Sequence, residues 1–462
     1  MMKGYLTTFL SLSLSIFIAF FVFLMDYAIR NGGKVRFETV VDIGMNSVLA
    51  EFHTGLHERY DLLYVDASYL GEEPSVSNVE GRLAFYINEN IRNFHEGGIW
   101  GTFYLESANI TSYCSAASGK GNSMKYQAVQ FVLDRGIERE EAEIMGYLPE
   151  IRNLDNQDVL GEWEALQAEI AGMELPIILN GKGEWEEVPL NNPADGVFGL
   201  SQSDVLFLAG VNCNQIGVGH ISQENYISGR KLQNEISVKE KDADDQLFLT
   251  YLFEKMGNFG RVREGALLQY QLEYIAVGET SDYENLQAVV ERLLRWRMAV
   301  NVNAVFHNGA LCEEALAAAQ ELPAVCLKEE FREPVADSIL YACAYLESIA
   351  DVRCLMSGGR LNLSKEEWIT GIEQVKEVSY EKNSSSRKTG LTYEQYLACL
   401  IMLLNEDVRN LRSMDIMEMD IRKLYGNSGF CMDYCIERFC AKVQASFNSG
   451  DSYYLERSYG YY

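Results

Sequence analysis

The sequence predicts an α+β fold whose N-terminal transmembrane helix continues into an amphipathic stalk helix. Three observations predict it: an uncharged apolar run near the N-terminus, short strand-like runs beside turn residues in the middle, and helix-period apolar repeats towards the end. The apolar run is Tyr5 to Met25, 21 residues between Lys3 and Asp26. At about 1.5 Å per residue such a helix covers about 30 Å, the hydrocarbon thickness of a bilayer. A cleaved signal peptide has a shorter apolar run closed by a small-residue site. Here Met25-Asp26-Tyr27 ends the run with no such site, so a retained anchor is expected. Within it Ser11, Ser15 and Ala19 recur every four residues, a small face of the kind that lets membrane helices pack closely. The plainer reading is an ordinary span in which these residues do nothing.

Asn31-Gly32-Gly33 predicts a kink or break. Val41, Met45, Val48, Phe52 and Leu56 then recur at helical spacing, which predicts the stalk helix ending near Tyr60. Residues 1–30 are thus a stub and anchor, 31–64 the stalk, 65–245 a mixed α/β head region, and 246–462 a mainly helical head region. In the middle, Tyr126–Asp134 and Asp158–Ala171 read as helices. Pro176-Ile177-Ile178-Leu179 before Asn180-Gly181 reads as a strand entering a turn, and Val205 to Val211 as a short buried strand. The polar run 240–245 marks a seam. Beyond it, Ser281-Asp-Tyr-Glu284 is a capping box ahead of Leu286, Val289, Val290, Leu293 and Leu294 on one face. A second helix is expected from Asp337 to Leu355, closed by Gly358-Gly359. A third starts near Thr392 and carries Tyr396, Leu400, Leu403 and Leu404. Residues 382–388 read as a surface loop, and Tyr453–Tyr462 as a strand closing a sheet edge.

An apolar share of 48 % with 7 prolines excludes a disordered chain. A formal charge of −28 repels nucleic acid and anionic lipid surfaces, so no nucleic-acid partner is expected. Of ten cysteines only Cys431, Cys435 and Cys440 cluster, with no C-x-x-C pair, and Cys431 and Cys435 are expected one turn apart on a helix. Arg30, Lys34 and Arg36 follow the span where only Lys3 precedes it, which tips the positive-inside count towards a cytoplasmic C-terminal region.

Chemical motifs fail one by one. His53 and His57 sit four apart, but Thr54 stands where a zinc protease needs Glu, so a solvated helix face is expected. Ser118-Gly-Lys-Gly-Asn-Ser123 lacks the first glycine and the closing Ser/Thr of a phosphate loop. Gly199-Leu-Ser-Gln-Ser203 lacks the last glycine of a nucleophile elbow. Glu347 and Asp351 share one apolar helix face, and Arg292, Arg295 and Arg297 punctuate another. Buried charges must pair or change protonation state, so these are either an acid/base or metal site or an inter-helix ion-pair network. The network, with Glu347, Asp351, Arg292 and Arg297 as its members, is expected. No catalytic, cofactor-binding or metal-ligating residue is predicted, and no cofactor.

Several stretches resemble, as a series, an uncharacterised family of single-pass membrane proteins of Gram-positive bacteria. They include KGYLTTFLSLSLS (3–15), SVLAEF (47–52), YDLLYVD (60–66), LEYIAVGETSDYENL (272–286), RLLRWRMAVN (292–301), YLESIADVRCLMSGGRLNLSKEEW (345–368), LTYEQYLACLIMLL (391–404) and RSMDIMEMDIR (412–422). That family is similar to the TadE/TadF/TadG pseudopilins of the Tad (Flp) pilus system. The resemblance implies an anchored subunit or assembly factor with its head outside the cell, partnered through its transmembrane helix by other Tad-system membrane proteins or pilins. It implies Gly4-Tyr5 as a prepilin-type processing site, yet the fifth residue after Gly4 is Phe9, where pseudopilins carry Glu. The expectation is a non-catalytic component of a Tad-like surface apparatus at the cell membrane. The alternatives are a membrane-tethered extracellular hydrolase acting on wall or surface polymer, and an inward-facing scaffold.

Overall fold

The computed structural model describes residues 2–70, 73–95, 103–212, 214, 216–232, 243–365, 368, 370–380, 389–447 and 450–461. The fold is α+β, and it divides into two units, neither continuous in sequence. The first gathers Met1–Phe131, Glu224–Ala243 and Met417–Tyr462; the second gathers Val132–Gln223 and Asp244–Ile416.

The first unit is built on a spine helix, Met2–Leu49. It passes through Asn31-Gly32-Gly33 without the break expected there. Glycine costs a helix about 1 kcal/mol each, too little to interrupt a long hydrogen-bonded ladder held by packing on its far side. The stalk does end early. The spine stops at Leu49, Phe52 bridges to Val65, and a separate helix, Thr54–Tyr60, starts at His53. The His53 Nδ1 accepts the Leu56 N–H at 3.0 Å and so caps that helix. The apolar period carries across this corner because Leu56 is buried in its own right.

Helix Val76–His95 packs on the spine, and both cover an antiparallel sheet. Strand Cys435–Phe447 lies at the sheet's centre, with Phe103–Ser115 on one side and Val65–Asp66 and Ser452–Gly460 on the other. Strand 452–460 is the edge expected of the aromatic C-terminus, with Phe439 facing Tyr459 and Ala445 facing Tyr453. Phe37, Val40, Val41, Met45 and Val48 of the spine meet Val79, Leu83 and Ile87 of the second helix and Ile436, Ala441 and Val443 of the central strand. Gly44 makes the helix pair fit: a Cβ there would stand 2.8 Å from Ile87 Cγ1. Cys431 and Cys435 do not share a helix, since a 3₁₀ turn at Met432–Tyr434 separates them before the strand begins.

The second unit is mainly helical. Asp282–Phe306 and Arg332–Met356 form its core pair, joined by Asp245–Lys255, Gln271–Val277, Gly309–Gln320 and Tyr393–Leu403. The cap read from sequence at Ser281 is present, and the helix expected from Thr392 has one as well. Ser281 Oγ accepts the Glu284 N–H at 3.2 Å, and Thr392 and Gln395 form a reciprocal capping box. Ile177–Leu179 is the strand expected before the Asn180-Gly181 turn, and it pairs with Trp185–Glu187. Val205–Leu208 is a helical turn, not a strand. Asp204 caps it through the Leu206 N–H, and Gly210, at φ +76, ends it where the Arg353 guanidinium leaves no room for a Cβ. Residues 382–388 lie outside the described residues.

Candidate functional site

The spine has two halves of opposite character. From Tyr5 to Tyr27 its large apolar side chains stand bare, Phe9, Phe17 and Phe23 at 68 %, 70 % and 65 % exposure. Beyond Gly33 one face is sealed in the core of the first unit. This is one N-terminal helix long and apolar enough to cross a membrane. Ser11, Ser15 and Ala19 lie on the bare half. Ser15 Oγ donates to the Ser11 carbonyl one turn back at 2.9 Å, so that hydroxyl is satisfied inside the helix, as lipid requires. Gly4 and Tyr5 fall in the first turns of the same helix.

Where the bare half ends, charge takes over. Arg30 pairs with Asp26 at 2.8 Å and with Asp451 beside the C-terminal strand. Lys34 lies 5.2 Å over the Tyr453 ring, whose hydroxyl donates to Glu38 at 2.6 Å. Arg457 reaches Glu38 and Asp42 at 3.3 and 3.6 Å. Arg30 and Lys34, two cations that follow the span, are therefore held against the head.

The charged residues picked out from the sequence of the second unit fall into two separate groups. Arg297 Nε and Nη2 donate to Asp351 Oδ2 at 2.9 and 2.8 Å, and Lys365 reaches both Asp351 and Glu347. Thr370 closes the group, its N–H and hydroxyl donating to Glu347 Oε2 at 3.0 and 2.6 Å. Burial pushes the Asp351 carboxyl up, but the two cations outweigh it and hold it below the usual range. Arg292 is not part of this group; it pairs with Asp155 at 2.6 Å, which also accepts the Trp296 indole N–H at 2.8 Å. Glu347 and Asp351 are at most 1 % exposed, so neither is open to an incoming substrate. Lys365, Thr370 and Asp155 carry no pattern in the sequence that ties them to these partners, because the chain brings them in from loops and a short helix.

In the first unit, His53 and His57 do not converge on a metal. His53 Nδ1 is used by the cap, and its Nε2 lies 2.6 Å from Asn427 Oδ1. His53, Glu51, Asp66 and Asn427 instead line a cleft of about 410 Å³ at the end of the spine remote from its bare half. Glu418, Cys431 and Asp433 bring three donor atoms within 4.8 Å of one another, the spacing a cation would need. Arg230 already spans Glu418 and Asp433, and Arg422 reaches Glu418 and the Cys431 sulfur, so guanidinium groups supply the positive charge there. Burial pushes the Cys431 thiol up, which keeps it protonated and a poor ligand.

Residues 183–447 match a model described as a family of unknown function (DUF5702), and the chain belongs to that family. No curated protein and no solved structure matches it.

Proposed function

We propose that this member of the family is a non-catalytic, membrane-anchored component of a Tad-like surface apparatus, a minor pseudopilin or assembly factor with its head outside the cell. The observation that carries the reading is the single unbroken spine, bare over one half and sealed into a folded head over the other. Such a helix transmits position rigidly. About 36 Å of it separates Met25 from Leu49, so the first unit sits at a fixed distance and orientation from the membrane. The bare half is free to pack against other membrane helices, with Ser11, Ser15 and Ala19 as the close-approach face. Arg30 and Lys34, which weigh towards a cytoplasmic head when counted as loop charges, have partners in the head and a structural task there. Phe9 in place of the pseudopilin Glu favours a subunit that keeps Gly4 and assists assembly over one that enters a fibre.

Protease treatment of intact cells, followed by blotting a tag placed after Tyr462, tests this. Loss of the tag while a cytoplasmic control survives is the expected result. A tag that survives intact cells and is lost only after lysis refutes the outward head and the apparatus reading with it.

A further inference from the structure

A short hairpin of the second unit stands with its apolar side bare. Among the described residues, strands Ile177–Leu179 and Trp185–Glu187 form a two-stranded sheet of their own. Residues directly opposite each other share a side, so Ile177, Leu179, Trp185 and Glu187 make one side, and Ile178 and Glu186 the other. Ile177, Leu179 and Trp185 are 56 %, 58 % and 75 % exposed, so their side of the hairpin faces solvent. The base is fastened, with Val188 buried and Lys328 Nζ donating to the Glu174 carbonyl at 2.9 Å. Two strands with a bare apolar side are marginal in water, and a third strand is one of the things that makes such a ribbon stable.

One edge is ready for that strand. The Val188 N–H donates to the Pro176 carbonyl at 2.9 Å, and the Asn180 N–H to the Glu184 carbonyl at 2.8 Å. Residues 176, 178 and 180 therefore bond inward, and the antiparallel alternation turns the N–H and C=O of Ile177 and Leu179 outward. Natural edge strands are guarded by charge, proline or a bulge. The Trp185–Glu187 strand carries two carboxylates, whereas Ile177-Ile178-Leu179 carries no such guard. Charge selects the occupant. Glu174, Glu184, Glu186 and Glu187 are all exposed around the hairpin, against Lys182 alone in the run 174–188. A second copy would set that acidic excess against itself, and a cationic partner is drawn in. We propose that the edge of strand Ile177–Leu179 docks an extended, cationic segment of a partner protein. The segment adds as a third strand, its main chain bonding to Ile177 and Leu179 and its alternate apolar side chains covering the bare side. The inference needs neither the anchor nor the outward topology proposed above.

The test is fluorescence anisotropy of a labelled peptide titrated with the full chain in detergent. The probe is Lys-Val-Arg-Val-Lys-Val-Arg; one control carries Glu at every cationic position, and another has the middle Val replaced by Pro with all charges kept. The probe is expected to bind at roughly 10–100 µM and to weaken as salt is raised. Leu179→Pro keeps every charge of the chain and removes an outward N–H, a change an edge strand tolerates, and is expected to weaken binding at least about tenfold. Trp185→Thr keeps strand propensity and charge but strips apolar surface, and is expected to weaken it about fivefold. The inference is overturned if the probe does not bind, if either control binds as tightly, or if both variants bind like the native chain. It is also overturned if sedimentation shows a dimer that Leu179→Pro dissolves, which would make a second copy the occupant. Quenching by a brominated detergent that Trp185→Thr removes would mark the hairpin as lipid-facing and would overturn it too.

Discussion

Removing the guanidinium of Arg297 should cost the second unit about 3 kcal/mol, and removing its carboxylate partner as well should restore most of it. Arg297, Lys365, Asp351 and Glu347 form a buried group of two cations and two anions, each at most 3 % exposed. Arg297→Met takes out one cation and leaves a net negative charge in the core. Breaking a buried pair in this way costs about 3–5 kcal/mol, and the lower end applies because Lys365 and the Asn301 amide, 3.1 Å from Asp351 Oδ2, still face the carboxylate. The double variant Arg297→Met/Asp351→Leu leaves the neutral Lys365–Glu347 pair and fills the space with apolar atoms. Hydrogen exchange of the full chain in detergent, read on peptides from 282–306 and 332–356, measures the effect. Protection should fall on the order of a hundredfold in the single variant and return to within about tenfold in the double. The pH dependence follows from the same charges. In the native chain Asp351 is held low, so its stabilisation is complete above about pH 4 and is lost as pH falls through its lowered value. In Arg297→Met burial drives Asp351 upward, so mild acid supplies a proton and the deficit at pH 5 is smaller than at pH 7. A single variant within threefold of native, or a double variant worse than the single, refutes the charge-balance account.

Glu273 gives a second pH effect of opposite sign. Fully buried, with hydrogen bonds from the Phe259 N–H and the Tyr393 hydroxyl, it is pushed up by burial to about 7 from 4.5. Stability tied to it is present below pH 4.5 and is lost as pH rises to 7, about 3 kcal/mol in all. Glu273→Gln should flatten that part of the denaturation profile, and an unchanged slope would count against the assignment. Gly44→Ala gains about 1 kcal/mol of helix propensity but crowds Ile87 at a cost of about 1–3 kcal/mol, so a net loss is expected in the native chain and none when Gly44→Ala is made in an Ile87→Ala background. A stabilised Gly44→Ala in chemical denaturation would mean that the helices have slack. His53→Ala should cost about 1 kcal/mol through loss of the cap, seen as faster exchange of the Leu56 amide, with no change in metal content.

Much of the local structure was legible because its causes are local. An uncharged run of bilayer length, apolar residues at helical spacing, and Ser281 or Thr392 ahead of their helices act within a few residues of themselves. The Asn31-Gly32-Gly33 break and the 205–211 strand misled for the same reason. Propensity is weak, and packing beyond Gly33 and the cap at Asp204 overrode it. Charge pairing was legible only by kind. That Glu347, Asp351 and Arg297 must find partners follows from their apolar surroundings. That Lys365 serves both carboxylates, and that Arg292 turns to Asp155, depends on where loops return.

The sequence by itself determined the α+β class, the membrane-length helix and the need for buried charges to pair, because these follow from hydrophobic period and solvation cost. Only the tertiary structure decided that the stalk breaks at His53, that the last strand joins the spine's own unit, and that Trp163 lies buried against Tyr345. Those outcomes rest on contacts between residues tens to hundreds of positions apart, and no local pattern encodes which of many compatible partners the chain will meet.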